Sequence, residues 1–477
     1  MSTVTDSNGA LTFSRDDLKR LTSFTDVFGK SIAYGYDKNG NLTSLTYPDG
    51  KIVTYEYNKA NRLTKVTDWL NNVTNYEYDL SGNLLKTINP DTSIVQHEYD
   101  NANRLKAILD YKADATVNGI FRYTLDSLGN RTEITSYQPL NSVPSVENID
   151  YVYNMDNRVL TAGTTTFNYD NNGNLITKTV ESDVTSYGWD YNNILTQVVN
   201  EGNTHSYQYD GIGNRIAKTV NSEETRYFID PSGGLSNVLA ETNGSGTITA
   251  YYVYGLGLIS KISPAGQSYF YHYDGIGSTI SMNESSGNIV NTYSYDSFGK
   301  VLTLEEAVRN PFKYVGRFGV MDEGNGHLYM RARYYDPNMG RFINKDPIGL
   351  MGGLNVFSYV GNNPINSIDP VGLWGKVIVD YTDLPKNRAG KTYIDRNRDI
   401  HVEINKAIRD PDLLMGTLIH ENVHVNQLQR CPLIPILDEN PYEIEAYLAE
   451  LNYYLYKGRY DLWASEQKGL NRYLNDR

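Results

Sequence analysis

The chain has 477 residues, about three times the length of a typical single domain, so we expect several domains or a repeat array. Its net charge of −13 would repel phosphate backbones, which argues against a dedicated DNA- or RNA-binding protein. The single cysteine, Cys431, excludes a disulfide framework and fits synthesis in a reducing cytosol. The sequence shows neither a long apolar run nor the order of a Sec signal peptide, so no membrane span is expected.

Many of the 41 tyrosines recur in a repeated pattern. Tyr36, Tyr57, Tyr78 and Tyr99 are spaced by 21 residues, and looser copies continue towards residue 300. Each copy contains an aromatic residue, any residue, Tyr, then Asp or Asn and a polar stretch with Gly or Asn. Y-x-Y places both rings on one face of a strand, and Asp-x-x-Gly-Asn is typical of a tight turn. The pattern therefore predicts β-hairpins, stacked into one long sheet, over residues 1–309.

These units resemble the YD repeats of the Rhs family over residues 20–373. The resemblance implies a mainly β shell in which stacked hairpins wind into a hollow β-cocoon around a C-terminal toxin. Because the array is short for a full cocoon, we expect an incomplete enclosure or an N-terminal portion encoded elsewhere. The resemblance also implies synthesis in the bacterial cytoplasm, a secretion or delivery apparatus, a cognate immunity protein and a protein substrate in a target cell.

A different pattern occupies residues 310–373 and includes LYMRARYYDPNMGRF, DPIGL and DPVGL. It is similar to the Rhs-associated core, whose members cut themselves just after the second DPxGL motif. The resemblance implies that Asp346 and Asp369 are the catalytic pair and that the bond between Leu373 and Trp374 is cut. Two carboxylates held together can divide the roles of acid and base, which suits the hydrolysis of a peptide bond.

The same two motifs have a simpler interpretation, because Asp-Pro-x-Gly is also common in turns without catalysis. In addition, Lys345 stands where relatives often have an arginine, directly before Asp346. A lysine supplies charge without the planar fork of a guanidinium, so we expect weaker orientation of Asp346.

Residues 374–477 lack the tyrosine pattern and begin with segments that are typical of strands. A predicted helix follows and contains the motif HENVH at positions 420–424. His420 and His424 lie four residues apart on one helix face, where they can bind one Zn²⁺. Glu421 can take a proton from a metal-bound water and pass it to the leaving amine. The sequence therefore predicts a small α+β zincin-like domain with Zn²⁺ as its cofactor.

A second predicted helix, NPYEIEAYLAELNYYLY, offers a third metal ligand. The arrangement resembles gluzincin-type peptidases, in which a glutamate on a later helix completes the zinc site. The resemblance implies Glu443 as the third ligand, with Glu445 as the alternative because Ala446 occupies the small position. For each glutamate, a place on a solvated helix face is the competing interpretation.

Taken together, these features predict an Rhs-type toxin whose shell carries a zinc metallopeptidase that is released by self-cleavage. One alternative is a non-enzymatic YD-repeat surface or adhesion protein, as in the animal teneurins. Such a protein would be expected to show a signal or membrane segment and disulfides. Another alternative is a payload with purely structural zinc, which would have four protein ligands in a closed site instead of three ligands and water.

Overall fold

A computed structural model describes residues 2–144, 148–349 and 355–373, together with the backbone of three later strands. The described part of the chain is almost entirely β, as the repeats predict. It divides into two compact units, one of residues 1–345 and 357–372 and the other of residues 346–356 and 373–477.

The first unit begins with a 13-stranded antiparallel sheet, sheet A, in which each strand pairs with its neighbours in sequence. Its strands are β1 (Ser2–Asp6), β2 (Gly9–Arg15), β3 (Leu21–Thr25), β4 (Ser31–Tyr36), β5 (Leu42–Thr46), β6 (Ile52–Tyr57), β7 (Leu63–Thr67), β8 (Val73–Tyr78), β9 (Leu84–Ile88), β10 (Ile94–Tyr99), β11 (Leu105–Tyr111), β12 (Val117–Leu125) and β13 (Arg131–Tyr137).

A 16-stranded antiparallel sheet, sheet B, follows with the same sequential order. Its strands are β14 (Tyr151–Tyr153), β15 (Val159–Ala162), β16 (Thr165–Tyr169), β17 (Leu175–Val180), β18 (Asp183–Trp189), β19 (Leu195–Asn200), β20 (Asn203–Tyr209), β21 (Arg215–Val220), β22 (Glu223–Asp230), β23 (Asn237–Asn243), β24 (Ile248–Gly255), β25 (Gly257–Ile262), β26 (Ser268–Tyr273), β27 (Thr279–Glu284), β28 (Ile289–Tyr295) and β29 (Val301–Glu306).

Two smaller sheets complete the described structure. The junction sheet contains β30 (Met321–Asp322), β31 (Leu328–Met330), β32 (Arg333–Asp336) and β33 (Arg341–Phe342), and 3-10 helices lie at Gly316–Phe318 and Val360–Asn362. In the second unit, β34 (Val377–Thr382), β35 (Gly390–Ile394) and β36 (Ile400–Asn405) form a mixed sheet. In that sheet β36 is central, parallel to β34 and antiparallel to β35.

The repeated Asp-x-x-Gly-Asn motif forms the expected turns. In the turn after β4, one carboxylate oxygen of Asp37 accepts the backbone N–H groups of Asn39 and Asn41, each at 2.9 Å. Gly40 has a φ of 91°, a conformation that a glycine adopts without steric cost. The aspartate and the glycine therefore fix the turn that joins consecutive strands.

The tyrosine pairs explain the Y-x-Y part of the pattern. In β26 the rings of Tyr271 and Tyr273 are stacked, with centroids 6.0 Å apart, so both lie on one face. Tyr271 is buried in the core, whereas the hydroxyl of Tyr273 donates to the carbonyl of Leu258 at 2.7 Å. Tyr78 makes the same bond to the carbonyl of Leu63. The first ring thus supplies apolar area, and the second ties its strand to the start of an earlier one.

The prediction of one long sheet was wrong, because the described repeats form two. Sheet A ends with β13 and sheet B begins with β14, and the connecting segment contains Pro139 and Pro144. Proline lacks the N–H that a strand ladder needs, so pairing stops there. The break was visible in the sequence as a gap in the tyrosine pattern.

Deeply buried charges join the two long sheets. His272 of β26 lies between Asp110 of β11 and Asp91, which belongs to the turn between β9 and β10. Its Nδ1 is 2.7 Å from Asp110 Oδ2, and its Nε2 is 3.7 Å from Asp91 Oδ2. Burial alone would lower the pKa of His272, but the two carboxylates raise it to about 10. The ring is therefore charged at neutral pH and links sheet A to sheet B.

This ion cluster predicts a pH-dependent part of the stability of the shell. The pKa of an ordinary histidine is 6.5, and that of His272 is about 10, so folding favours the protonated form. The resulting stabilisation is fully present below pH 6.5 and is lost as the pH rises from 6.5 to 10. We expect the difference in free energy of unfolding between the wild type and His272→Gln to shrink over that interval, as measured by urea denaturation.

His97→Gln is the matched control for this measurement. Burial lowers the pKa of His97 to about 4, so its ring stays neutral between pH 6.5 and 10. Its substitution should therefore change stability by the same amount throughout the interval. A similarly constant difference for His272→Gln would contradict the charged cluster.

Candidate functional site

The junction sheet is anchored to sheet B by buried ion pairs. Glu323, which follows β30, contacts Arg215 and Lys218 of β21, and its side chain is about 1% exposed. Burial alone would raise the pKa of Glu323, but these two cations hold it below its usual value. Farther along, Asp336 of β32 accepts from Lys178 Nζ at 2.8 Å. Buried, paired charges fix the position of the junction sheet relative to the repeats.

Asp369 lies in a segment that runs beside the turn between β31 and β32. The N–H of Ala332 donates to the carbonyl of Val371 at 3.0 Å. The N–H of Gly372 donates to Asp369 Oδ1 at 2.8 Å, and Asp369 is 4% exposed. These hydrogen bonds therefore hold residues 369–372 in place, and the held segment ends directly before Leu373.

Gly372 could not be another residue without a shift of the backbone. Its φ is 73°, and a Cβ added there would lie 2.4 Å from the carbonyl oxygen of Met330 and 2.9 Å from the nitrogen of Arg333. The glycine of the second DPxGL motif thus allows the segment to approach the junction sheet closely.

Asp346 also occupies a buried turn. Its Oδ1 accepts the N–H of Ile348 at 3.1 Å, and its own N–H donates to Val356 O at 2.9 Å. Gly349 of the same motif has a φ of 63° and donates to the carbonyl of Asp346. Both DPxGL motifs therefore have the predicted turn chemistry. Asp346 and Asp369 belong to different compact units, and their catalytic pairing stays a prediction.

Arg333 is a site residue that the sequence did not reveal. Its side chain is about 1% exposed, and one guanidinium nitrogen lies 3.4 Å from Asp369 Oδ2. Nε donates to the carbonyl of Gly372, and the guanidinium lies 3.5 Å from the centre of the Phe342 ring. The RARYYDP string could have indicated this residue, because an arginine buried in a strand requires a negatively charged partner.

Lys345, directly before Asp346, packs its aliphatic stem on a repeat turn. A Cβ built on Gly173 would lie 2.5 Å from Lys345 Cε, so the lysine stem lies directly over this glycine. This contact ties the residue before Asp346 to the turn between β16 and β17.

This architecture matches a known family. The Teneurin YD-shell family model covers residues 110–365, more than half of the chain. The chain belongs to the teneurin YD-shell family. The RHS Repeat model matches this YD shell twice more, at residues 15–52 and 36–73.

Curated relatives of the YD-shell chain include several toxins. The tRNA3(Ser)-specific nuclease WapA of Bacillus spizizenii is 33% identical over 270 residues, which are 55% of this chain and 11% of the relative. Double-stranded DNA deaminase toxin A of Burkholderia cenocepacia is 34% identical over 123 residues, 25% of this chain and 8% of the relative. Toxin protein Tse5 of Pseudomonas aeruginosa is 33% identical over 104 residues, 22% of this chain and 8% of the relative. The chain thus spans about a tenth of the length of these proteins.

Solved structures with a similar fold come from Tc toxins. The crystal structure of TcdB2-TccC3 matches with a TM-score of 0.57 at 17% identity, over 76% of this chain and 24% of that chain. The Photorhabdus luminescens Tc holotoxin pore matches with a TM-score of 0.54 at 18% identity, over 72% of this chain and 21% of that chain. At this identity the likeness shows the fold of the YD shell and nothing about activity.

Several predicted site residues lie outside the part of the chain that the structure describes. They are Trp374, His420, Glu421, His424, Glu443 and Glu445. Among the described residues, no group of three or more His, Cys, Asp or Glu side chains could hold a metal. Within the same residues, no helix has the length and apolar character needed to cross a membrane.

Proposed function

We propose that this chain is an Rhs-type toxin in which the YD shell carries a C-terminal enzyme. One observation supports this proposal most. Residues 369–372 are fixed to the junction sheet by hydrogen bonds, and the sequence changes in composition directly after Leu373. Relatives that are named as toxins, including toxin protein Tse5, agree with this role. Delivery into a target cell, a delivery apparatus and a cognate immunity protein are parts of the same proposal.

The first chemical step of the proposal is self-cleavage between Leu373 and Trp374. One of the two aspartates, Asp346 or Asp369, acts as the base that takes a proton from water. The other acts as the acid that protonates the departing nitrogen of Trp374. Each of the two carboxyl groups is buried, and this supports the step because interactions of a carboxyl group are stronger where it is shielded from bulk water.

The second part of the proposal is that residues 374–477 form a zinc metallopeptidase. Two imidazoles and one carboxylate are a donor set that catalytic zinc accepts, and His420, His424 and Glu443, or Glu445, supply it. Bound zinc would lower the pKa of a coordinated water to about 7. Glu421 would serve as the general base and acid, taking a proton from water and passing it to the leaving amine of a protein substrate.

A second candidate is an enzyme that acts on nucleic acid, because WapA is a tRNA nuclease and another relative is a DNA deaminase toxin. These relatives differ from one another in activity, so a YD shell accompanies more than one chemistry. Residues 374–477 have 14 basic and 16 acidic side chains, and this balance offers little attraction for phosphate backbones. The HENVH motif therefore makes the peptidase the favoured proposal.

Metal content and activity of the full chain test the choice between these enzymes. We expect the purified protein to bind about one zinc per chain. It should cut casein or proteins of a bacterial extract, lose this activity with a chelator and regain it with added zinc. Absence of both zinc and proteolysis would overturn the peptidase. Zinc-independent cutting of tRNA, or deamination of double-stranded DNA, would instead establish the second candidate.

A further inference from the structure

The guanidinium of Arg333 contacts two parts of the proposed self-cleavage site, the Asp369 carboxylate and the backbone next to the bond that is cut. It lies 3.4 Å from Asp369 Oδ2, and its Nε donates to the carbonyl of Gly372. Gly372 precedes Leu373, whose carbonyl belongs to the bond that is cut in the proposal. One rigid side chain thus connects a predicted catalytic carboxylate with the substrate backbone.

The surroundings of Arg333 hold this guanidinium in place. Its Cζ lies over the ring of Phe342, 3.5 Å from the ring centre, and the side chain is about 1% exposed. A planar, delocalised cation keeps several donors in a fixed fork and stacks on aromatic rings, which a lysine does less well. Burial of a charge is costly unless it is compensated, so the contacts to Asp369 and Gly372 also stabilise the arginine.

A neighbouring arginine has a different set of contacts. Arg331 donates to the main-chain carbonyls of Ser236, Phe318 and Pro370, which tie the turn between β31 and β32 to the segments around it. Arg333 instead joins a carboxylate side chain to the carbonyl three residues later. Its contacts therefore suit the control of reaction geometry as well as folding.

We propose that Arg333 is a positioning residue for self-cleavage. By contacting both groups, it holds the Asp369 carboxylate and the Gly372 carbonyl at a fixed distance from each other. This inference rests on the proposed self-cleavage. In that reaction water adds to the carbonyl carbon of Leu373, one aspartate takes a proton from the water, and the bond to the Trp374 nitrogen breaks. The other aspartate protonates that nitrogen, which leaves a carboxyl group on Leu373 and a free amine on Trp374. Arg333 exchanges no proton in these steps. It fixes the distance between the Asp369 carboxylate and the backbone that precedes the bond that is cut.

Pulse–chase synthesis of the full chain in a cell-free system tests the inference, with the fraction of cut chain followed on a denaturing gel. We expect cleavage to slow by about 10- to 100-fold in Arg333→Met. Arg333→Lys should fall between Met and the wild type, since it keeps one donor and the charge but loses the fork. The rates are measured at a temperature well below the unfolding midpoint of each variant, where every variant is folded. A graded order of rates under these conditions is not expected from a loss of stability alone.

Two further variants complete the test. Arg317→Lys is the matched control, because Arg317 donates to the main-chain carbonyl of Leu256 within the repeats, and it should cut at the wild-type rate. Gly372→Ala keeps the arginine side chain but forces the Gly372 backbone away from the junction sheet, because its Cβ would lie 2.4 Å from Met330 O and 2.9 Å from the backbone nitrogen of Arg333. It should cut slowly even if the Arg333 variants fail to fold.

The possible results separate the inference from the function on which it rests. If the wild type cuts and the folded Arg333 variants cut at its rate, the positioning role is wrong. Wild-type cutting in Gly372→Ala would overturn it as well. If the wild type itself stays uncut, the self-cleavage proposal fails, and the role of Arg333 fails with it.

Discussion

Glu421→Gln is expected to leave the chain folded and zinc-bound while lowering its proteolytic activity by about 100- to 10,000-fold. Glutamine keeps the shape of the side chain but cannot accept a proton from water and donate it to the leaving amine. Because Glu421 is not one of the proposed metal ligands, zinc content should stay at the wild-type level. The measurement is peptidase activity and metal content of the purified full chain, together with growth of cells that produce it.

Variants of the second predicted helix provide the controls for this experiment. Glu450→Gln should keep full activity, since Glu450 is not among the proposed ligands. Glu443→Gln should lose zinc, whereas Glu445→Gln should retain it; the reverse result would assign Glu445 as the third ligand. A Glu421→Gln protein that cuts its substrates and stops cell growth as well as the wild type would contradict the peptidase.

Much of the shell could be predicted from local sequence, because the hydrogen bonds of its turns and strand ladders lie within or between adjacent hairpins. The turn at Asp37 and Gly40 is built from neighbouring residues, and the bond from Tyr78 to Leu63 spans 15 residues. The spacing of residues along the chain therefore predicts such short-range contacts. The division into two sheets was not predicted, because the repeat pattern resumes after the prolines between β13 and β14 as if one sheet continued.

The candidate site was harder to predict because it depends on contacts between distant residues. The DPxGL motifs indicated both turns, and Gly372 has the positive φ that the motif requires. The contact between Arg333 and Asp369 joins residues 36 positions apart, and no periodic pattern signals it. In the same way, His272 meets Asp110 across 162 positions, so a single sequence could not link the two.

Asp369→Asn is expected to stop self-cleavage and leave one 53.9 kDa chain on a denaturing gel, where the wild type gives two pieces. Asparagine retains an oxygen that can accept the N–H of Gly372, so the turn should persist. It cannot act as an acid or a base, and one member of the proposed pair is lost. The loss of rate should be about 100-fold or more.

The asparagine substitution separates catalysis from turn formation, which a change to alanine would not do. Asp296→Asn is the matched control: Asp296 caps a repeat turn through the N–H groups of Phe298 and Lys300, and its variant should cut normally. Asp346→Asn should behave like Asp369→Asn if the two carboxyl groups act together. Normal cutting in Asp369→Asn would assign the motif a structural role, because the turn alone would then be enough to present the bond. Loss of cutting in both asparagine variants, with an unchanged unfolding midpoint, would require that the two buried carboxyl groups take part in the chemistry.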